Sequence, residues 1–237
     1  MISKNSIKYI QSLHLKKRRD EENIFVAEGP KMVSELINST LNIRQIYATD
    51  ANWLQSYKGS LHIEQITNTE LKQISSFETP NQVLAIAEKK LPATDVAPLC
   101  IMLDGIQDPG NLGTIIRIAD WFGVDQIIAS KDTADEYNPK VVQSTMGSIF
   151  RVNILYTDLE IFLQENPKPV YAAMLNGKNI KEYKNLNEGY ILIGNESKGI
   201  RDYLLPHVSE KITILSHGKA ESLNAGVALG IILSHVM

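Results

Sequence analysis

From Pro98 onward the chain alternates, over about 140 residues, between continuous apolar runs and helix-patterned stretches. "PLCIML" is apolar at every position, as a strand buried on both faces of a parallel sheet must be. "NLGTIIRIADWFG" then has helical spacing, with Gly123 as its stop. "VDQIIA" reads as the next strand. "NPKVVQSTMGSIF" opens a helix with Asn138 as cap and Pro139 in the first turn. "VNILY", "KPVYAAML", "GYILIG" and "KITIL" read as further strands, and "ESLNAGVALGIILSHVM" as a closing helix. Alternation on this scale fits an open α/β layer fold.

The front of the chain is also mixed. "SIKYIQSLHLKK" places Ile7, Ile10 and Leu13 at helical spacing. "NIFVAEG" is a short strand, and "PKMVSELIN" a helix with Pro30 in its first turn. "NIRQIYA", "LHIEQI" and "VLAIAE" read as strands with helical pieces between them. "EKKLPATDVAP" carries two prolines, charge and no periodicity, as a semi-stiff linker does. The expected organisation is a small α/β domain over 1–91, a linker at 92–98 and a larger α/β domain over 99–237.

With 237 residues, 43% hydrophobic and 22% charged, the chain has the make-up of a soluble globular protein. No apolar run approaches the roughly 18–20 residues that span a bilayer, and the basic N-terminus lacks the apolar core of a signal peptide. A single cysteine, Cys100, excludes an internal disulfide. It lies in an apolar run, as a buried structural thiol does, and a cytoplasmic location is expected. The five histidines show no metal-ligand spacing.

The net charge of −3 does not advertise a nucleic-acid binder, but its distribution is uneven. Residues 1–91 hold 12 Lys+Arg against 10 Asp+Glu, and the remainder 12 against 17. "KKRR" at Lys16 to Arg19, followed by "DEE", fits either a helix end with local charge pairing or a phosphate-contacting patch.

In α/β sheets ligands lie outside the carboxyl ends of strands. The loops after "CIML", "YILIG" and "KITIL" are the three locally unusual stretches. In "DPGNLGTIIRIA", Asn111 is placed to cap the helix, and Gly110 and Gly113 let a ligand or backbone approach. Arg117 leans back toward that loop, because helical side chains point N-terminally. It fits a phosphate contact or an ordinary surface Arg. In "IGNESKGI", Glu196 fits a ribose hydroxyl, a cation or a partner Arg, and equally a helix-start acid. In "GKAESLNAGVALGI", Ser222 and Asn224 are capping residues. The helix behind them is nearly charge-free, with Gly226 and Gly230 allowing close packing in a core or subunit interface.

Together, in this order, the three stretches resemble the SpoU, or TrmH-type, branch of the SPOUT methyltransferases, over nearly the whole chain. "FVAEGPKMVSEL" is similar to the substrate-binding domain that often precedes the catalytic one. The resemblance implies a C-terminal SPOUT domain with a parallel sheet and a deep trefoil knot, an exception to the usual absence of knots. It implies S-adenosyl-L-methionine as cofactor, held mostly by backbone around Gly194, Ile214 and Leu223. It also implies an RNA substrate, ribosomal rather than transfer RNA given the front domain, and a homodimer formed through the SPOUT domain. By motif position, Arg117, Asn111, Glu196, Ser222 and Asn224 match the family's functional polar residues. The implied reaction is ribose 2′-O-methylation; base methylation is the variant some SPOUT relatives perform. A binding protein that keeps the knotted fold without catalysis is the alternative.

Methyl transfer to a ribose oxygen requires alignment of donor and acceptor and removal of the hydroxyl proton. A guanidinium with a pKa above about 12 is a poor base. Arg117 is therefore expected to clamp the RNA phosphate and stabilise the developing alkoxide. Glu196 and Asn111 would orient it and the ribose, while Ser222 and Asn224 shape the loops. Two positions depart from the family pattern: Leu215 where Pro is frequent, and Ser197 where Gly is frequent. His217 is an incidental loop residue in this reading. Rivals are disfavoured because no G-x-G-x-x-G follows a strand, and Gly218-Lys219 lacks the rest of a P-loop.

Overall fold

A computed structural model describes residues 2–49, 53, 61–93 and 95–237. The chain forms two compact units, Met1–Leu91 with Tyr137–Phe150, and Pro92–Glu136 with Arg151–Met237.

The first unit is built on a four-stranded sheet. Its strands are β1 (Ile24–Glu28), β2 (Ile43–Ala48), β3 (Ile63–Gln65) and β4 (Val83–Glu88), in the order β1-β4-β2-β3. β4 runs antiparallel to both β1 and β2, and β3 is parallel to β2. The two-residue strand period sends Phe25 and Ala27 to one face and Ile24 and Val26 to the other. On the first face lies α3 (Pro30–Ile37), through Met32, Val33 and Leu36. On the second lie α1 (Lys4–Ser12) and α4 (Asn68–Ile74), through Ile10, Leu71 and Ile74. The helical piece expected between β2 and β3 falls mostly at 50–52 and 54–60, outside the described residues.

One local expectation is corrected here. The amphipathic run at the N-terminus is two helices, α1 and then α2 (Lys16–Glu22). Arg19 explains the break: it is buried and donates to the carbonyls of Leu13 and His14, both at 2.8 Å. Those carbonyls have no partner of their own at a helix end. The rest of the basic cluster is locally paired, Lys16 with Asp20 at 2.5 Å and Arg18 with Glu21 at 2.8 Å. Local charge pairing, one of the two readings open from sequence, is what the geometry shows.

The helix read at "NPKVVQSTMGSIF" is found. It forms as α6 (Pro139–Thr145), with Asn138 as cap, but it packs into the first unit rather than with its sequence neighbours. Tyr137 and Phe150 stand 4.9 and 6.3 Å, centroid to centroid, from Phe25. Val142 and Ile149 join the same core.

The second unit is a six-stranded sheet, parallel throughout. Its strands are β5 (Leu99–Asp104), β6 (Gln126–Ser130), β7 (Asn153–Thr157), β8 (Val170–Asn179), β9 (Gly189–Gly194) and β10 (Glu210–Thr213). Their order is β10-β8-β9-β5-β6-β7. β5 sends Cys100 and Met102 into a core shared with Leu159, Phe162 and Leu163 of α7 (Leu159–Glu165). Two further helices are α5 (Pro109–Trp121), with Leu112, Ile115, Ile116 and Ala119 buried, and α8 (Ala225–Val236). They touch where glycine permits: a Cβ on Gly226 would lie 3.0 Å from Thr114 Cγ2. The small residues of the last helix thus serve close packing within the unit. No helix among the described residues is long and apolar enough to cross a membrane.

The chain leaves β5 in one direction, through β6 and β7, and returns on its other side as β8 and β9. The topological switch lies between β5 and β9, so their carboxyl ends frame a crevice.

Candidate active site at the carboxyl edge of the parallel sheet

Asp104 ends β5 directly opposite Gly194, which ends β9. The chain then enters α5, but the helix is capped by Asp108 and not by Asn111, as the sequence suggested. Asp108 accepts the Asn111 backbone N–H at 2.8 Å. The physical reason is Pro109, which is suited to the first helical position and moves the cap one residue ahead of itself. Asn111 is thereby released from capping, and its side chain is free to bridge.

It bridges the other two motifs. Asn111 Nδ2 donates to Glu196 Oε1 at 2.6 Å, and Asn111 Oδ1 accepts from Asn224 Nδ2 at 2.7 Å. Asn224 is the N-cap of α8, its Oδ1 accepting from the N–H groups of Gly226 and Val227 at 3.0 and 3.3 Å. The result is one polarised chain, from the amides of a helix start through two carboxamides to a carboxylate. Each link strengthens the next. Glu196 has its other carboxylate oxygen unengaged among the described residues.

The strand order makes this convergence non-trivial. β10 lies three strands from β5, roughly 14 Å at ordinary strand spacing. Residues 214–224 therefore run back along the sheet's edge to bring Asn224 to Asn111. On this segment Leu215, Ser222 and Leu223 are exposed, and Ile214 is half-buried.

Gly194 has a different task. A Cβ there would stand 2.4 Å from the carbonyl carbon of Gly199, closer than any side chain can come. Asn195 and Gly199 exchange backbone hydrogen bonds of 3.0 and 2.9 Å, closing a tight turn with Gly199 at φ +69°. Asn195 Oδ1 also accepts from the N–H groups of Ser197 and Lys198. The turn holds Glu196 at its tip.

The structure thus brings together Asn111, Glu196 and Asn224, one from each motif. Arg117 and Ser222 are exposed and make no hydrogen bond or ion pair among the described residues. Arg117 lies six residues beyond Asn111, roughly 9 Å along the helix axis. Sequence reasoning missed three polar residues that fasten the loops beneath the network, Asp104, Asp132 and Arg201. Burial pushes the Asp104 carboxyl above the ordinary carboxylate range, against the Arg201 backbone N–H and charge. For Asp132 burial acts the same way, but the Ser130 hydroxyl and Arg201 outweigh it and hold the carboxyl low. The signal was a charged residue closing an otherwise apolar strand.

A parallel sheet whose switch-point loops converge on one polar chain defines a ligand-binding α/β enzyme scaffold. The SpoU rRNA Methylase family matches residues 98–234, and the chain belongs to it. An MRM3-like substrate binding domain matches residues 4–85. Among curated relatives, the 23S rRNA (guanosine(2553)-2′-O)-methyltransferase RlmP of Bacillus subtilis is 29% identical over 235 residues, covering 97% of this chain and 95% of that protein. Among solved structures, an RNA methyltransferase assigned to the TrmH family from Porphyromonas gingivalis superposes with a TM-score of 0.88. It is 33% identical, with 99% of this chain and 98% of that one covered. The AdoMet-bound rRNA methyltransferase from Sinorhizobium meliloti gives 0.84 and 30%, over 99% and 95%.

Proposed function

We propose that this chain is an S-adenosyl-L-methionine-dependent methyltransferase that modifies the ribose 2′-hydroxyl of ribosomal RNA. The observation that carries the reading is the hydrogen-bonded chain Asn224–Asn111–Glu196, which joins three distant motifs at the sheet's carboxyl edge. Its relatives support the rest: the RlmP similarity spans 97% of this chain, and the AdoMet-bound relative from S. meliloti is similar over 99% of it. The complete network speaks against a degenerate binding scaffold.

The residues present fit the cofactor. Gly194, Ile214 and Leu223 hold it through their backbone, and exposed Leu215 and Leu223 offer apolar surface to its adenosine. S-adenosyl-L-methionine, when bound, supplies an electrophilic methyl group on a sulfonium. Arg117, exposed and unpaired among the described residues, clamps the RNA phosphate and stabilises the alkoxide that develops on the ribose oxygen. Asn111 and Glu196, bonded to each other and not to Arg117, orient the ribose. Asn224 fixes the end of the last loop through Asn111, and exposed Ser222 is kept for the ligand. The hydroxyl proton leaves to phosphate or water, because a guanidinium does not accept it.

Residues 1–91 act as the RNA-recruiting domain, 92–98 as the linker and 99–237 as the methyltransferase domain. The last segment threads a loop to form the trefoil knot. This fits the Leu186 N–H donating to the Val236 carbonyl at 2.9 Å, which ties the chain's end to the segment before β9. Two copies pair through this domain. Trp121 at the end of α5, 86% exposed, and Val227 on α8 are the apolar side chains that pairing would cover. The lone buried Cys100 fits the reducing cytoplasm.

A methylation map of total RNA from cells with and without this gene tests the reading. One ribosomal 2′-O-methyl mark should vanish with the gene. Identical maps, together with no heat on titrating S-adenosyl-L-methionine into the protein, would refute it.

A further inference from the structure

Beneath the polar network lies a charge cluster that the reading above does not use. Asp104 is fully buried. Its Oδ2 accepts the Arg201 backbone N–H at 2.8 Å. Its Oδ1 lies 3.3 Å from Arg201 Nε, without the alignment of a hydrogen bond. Arg201 Nη2 pairs with Asp132, and Nη1 donates to the Tyr203 hydroxyl at 3.3 Å. One guanidinium therefore ties the end of β5 and the loop after β6 to the loop after β9.

Gly105 shows how tightly. It sits at φ +72°, and a Cβ there would be 2.8 Å from Arg201 Nη2. Its N–H donates to Ser130 Oγ at 2.8 Å, and its carbonyl accepts from Asn195 Nδ2 at 2.7 Å. Residues 195–201 are thus fastened to the β5 loop at both ends, by Asn195 and by Arg201, with Glu196 between the two fasteners. A buried carboxylate is a costly way to join two loops, and apolar packing would hold them without that penalty. Apolar packing would not fix their register.

We propose that Arg201, gripped by Asp104 and Asp132, is a positioning residue for methyl transfer, setting the register of residues 195–200 so that Glu196 meets Asn111. The inference rests on the function proposed above. Arg201 touches neither substrate nor cofactor in this scheme and acts through Glu196.

A double-mutant cycle tests it, using Arg201→Met, Glu196→Gln and the two combined, with Arg201→Lys as the conservative variant. Arg201→Met should lower kcat about 30-fold, as loss of a residue supporting a reactive group does, with KM for S-adenosyl-L-methionine within about threefold. The combined variant should be no slower than Glu196→Gln, because both changes remove one interaction. Arg201→Lys should regain part of the rate and stands in if the Met variant does not fold. Unchanged kcat, or losses that multiply, would overturn the proposal. An activity-free readout separates it from the parent reading: the Asn111 side-chain amide resonance. In Arg201→Met it should move to the position it takes in Glu196→Gln, and an unmoved resonance overturns the proposal. If the wild-type protein neither binds S-adenosyl-L-methionine nor methylates RNA, the parent reading fails while this resonance still decides the role of Arg201.

Discussion

The two halves of the site are built on opposite plans. On one side, the loops after β5 and β9 are held by Asp104, Asn195, Arg201 and the backbone bridge between Asn195 and Gly199, so Glu196 is fixed before any ligand arrives. On the other side, Arg117 and residues 214–223 are mostly exposed, and neither Arg117 nor Ser222 has a partner among the described residues. Asn224 links residues 214–223 to the first side through Asn111. The difference separates a preorganised half, which sets geometry, from a half whose side chains are kept for RNA and cofactor.

That contrast can be broken from either side. The largest effect is expected at Arg117. Arg117→Lys should cost about 100-fold or more in kcat/KM, with the thermal midpoint unchanged, because the side chain holds nothing in the fold. Wild-type turnover in this variant would remove guanidinium recognition from the account. On the preorganised side the order reverses. Gly194→Ala forces a Cβ to 2.4 Å from backbone, so stability should fall by about 2–4 kcal/mol in urea unfolding. An unaffected midpoint would mean that the turn is looser than drawn.

The smallest effect concerns the core below both halves. Burial pushes the Cys100 thiol up to about 11. The folded protein keeps that proton where the unfolded chain, near the ordinary value of 9.0, releases it. The stabilisation is complete below pH 9 and is lost as pH rises toward 11. Urea unfolding at pH 8, 9 and 10 should show a decline that is shallower in Cys100→Ala. Parallel declines would place the titrating group elsewhere.

Most of the architecture was legible in the residues. Every strand read from "CIML" onward forms, because short apolar runs bounded by turn residues suit strands buried in a parallel sheet. Three motif residues, Asn111, Glu196 and Asn224, meet as their strand-end positions required. What escaped notice depends on long-range geometry. Pro109 moved the helix cap to Asp108, a competition between two good capping residues that composition does not settle. Tyr137–Phe150 joins the first unit because Phe25 offers an aromatic partner more than 100 residues away, and no local pattern announces that. Arg201 reads as one more charge after "KGI" until Asp104 is seen buried beside it. The break after α1 was hidden because Leu13 keeps the helical period and Arg19 satisfies the broken turn.

The purified protein can be incubated with S-adenosyl-L-methionine carrying a labelled methyl group and unmodified ribosomal RNA, and the RNA then digested to nucleosides. Label should appear in a single 2′-O-methylated nucleoside and be lost in Asn111→Ala, Glu196→Ala and Asn224→Ala alike. Label on a base, or transfer that survives the loss of those three side chains, would contradict the proposed function.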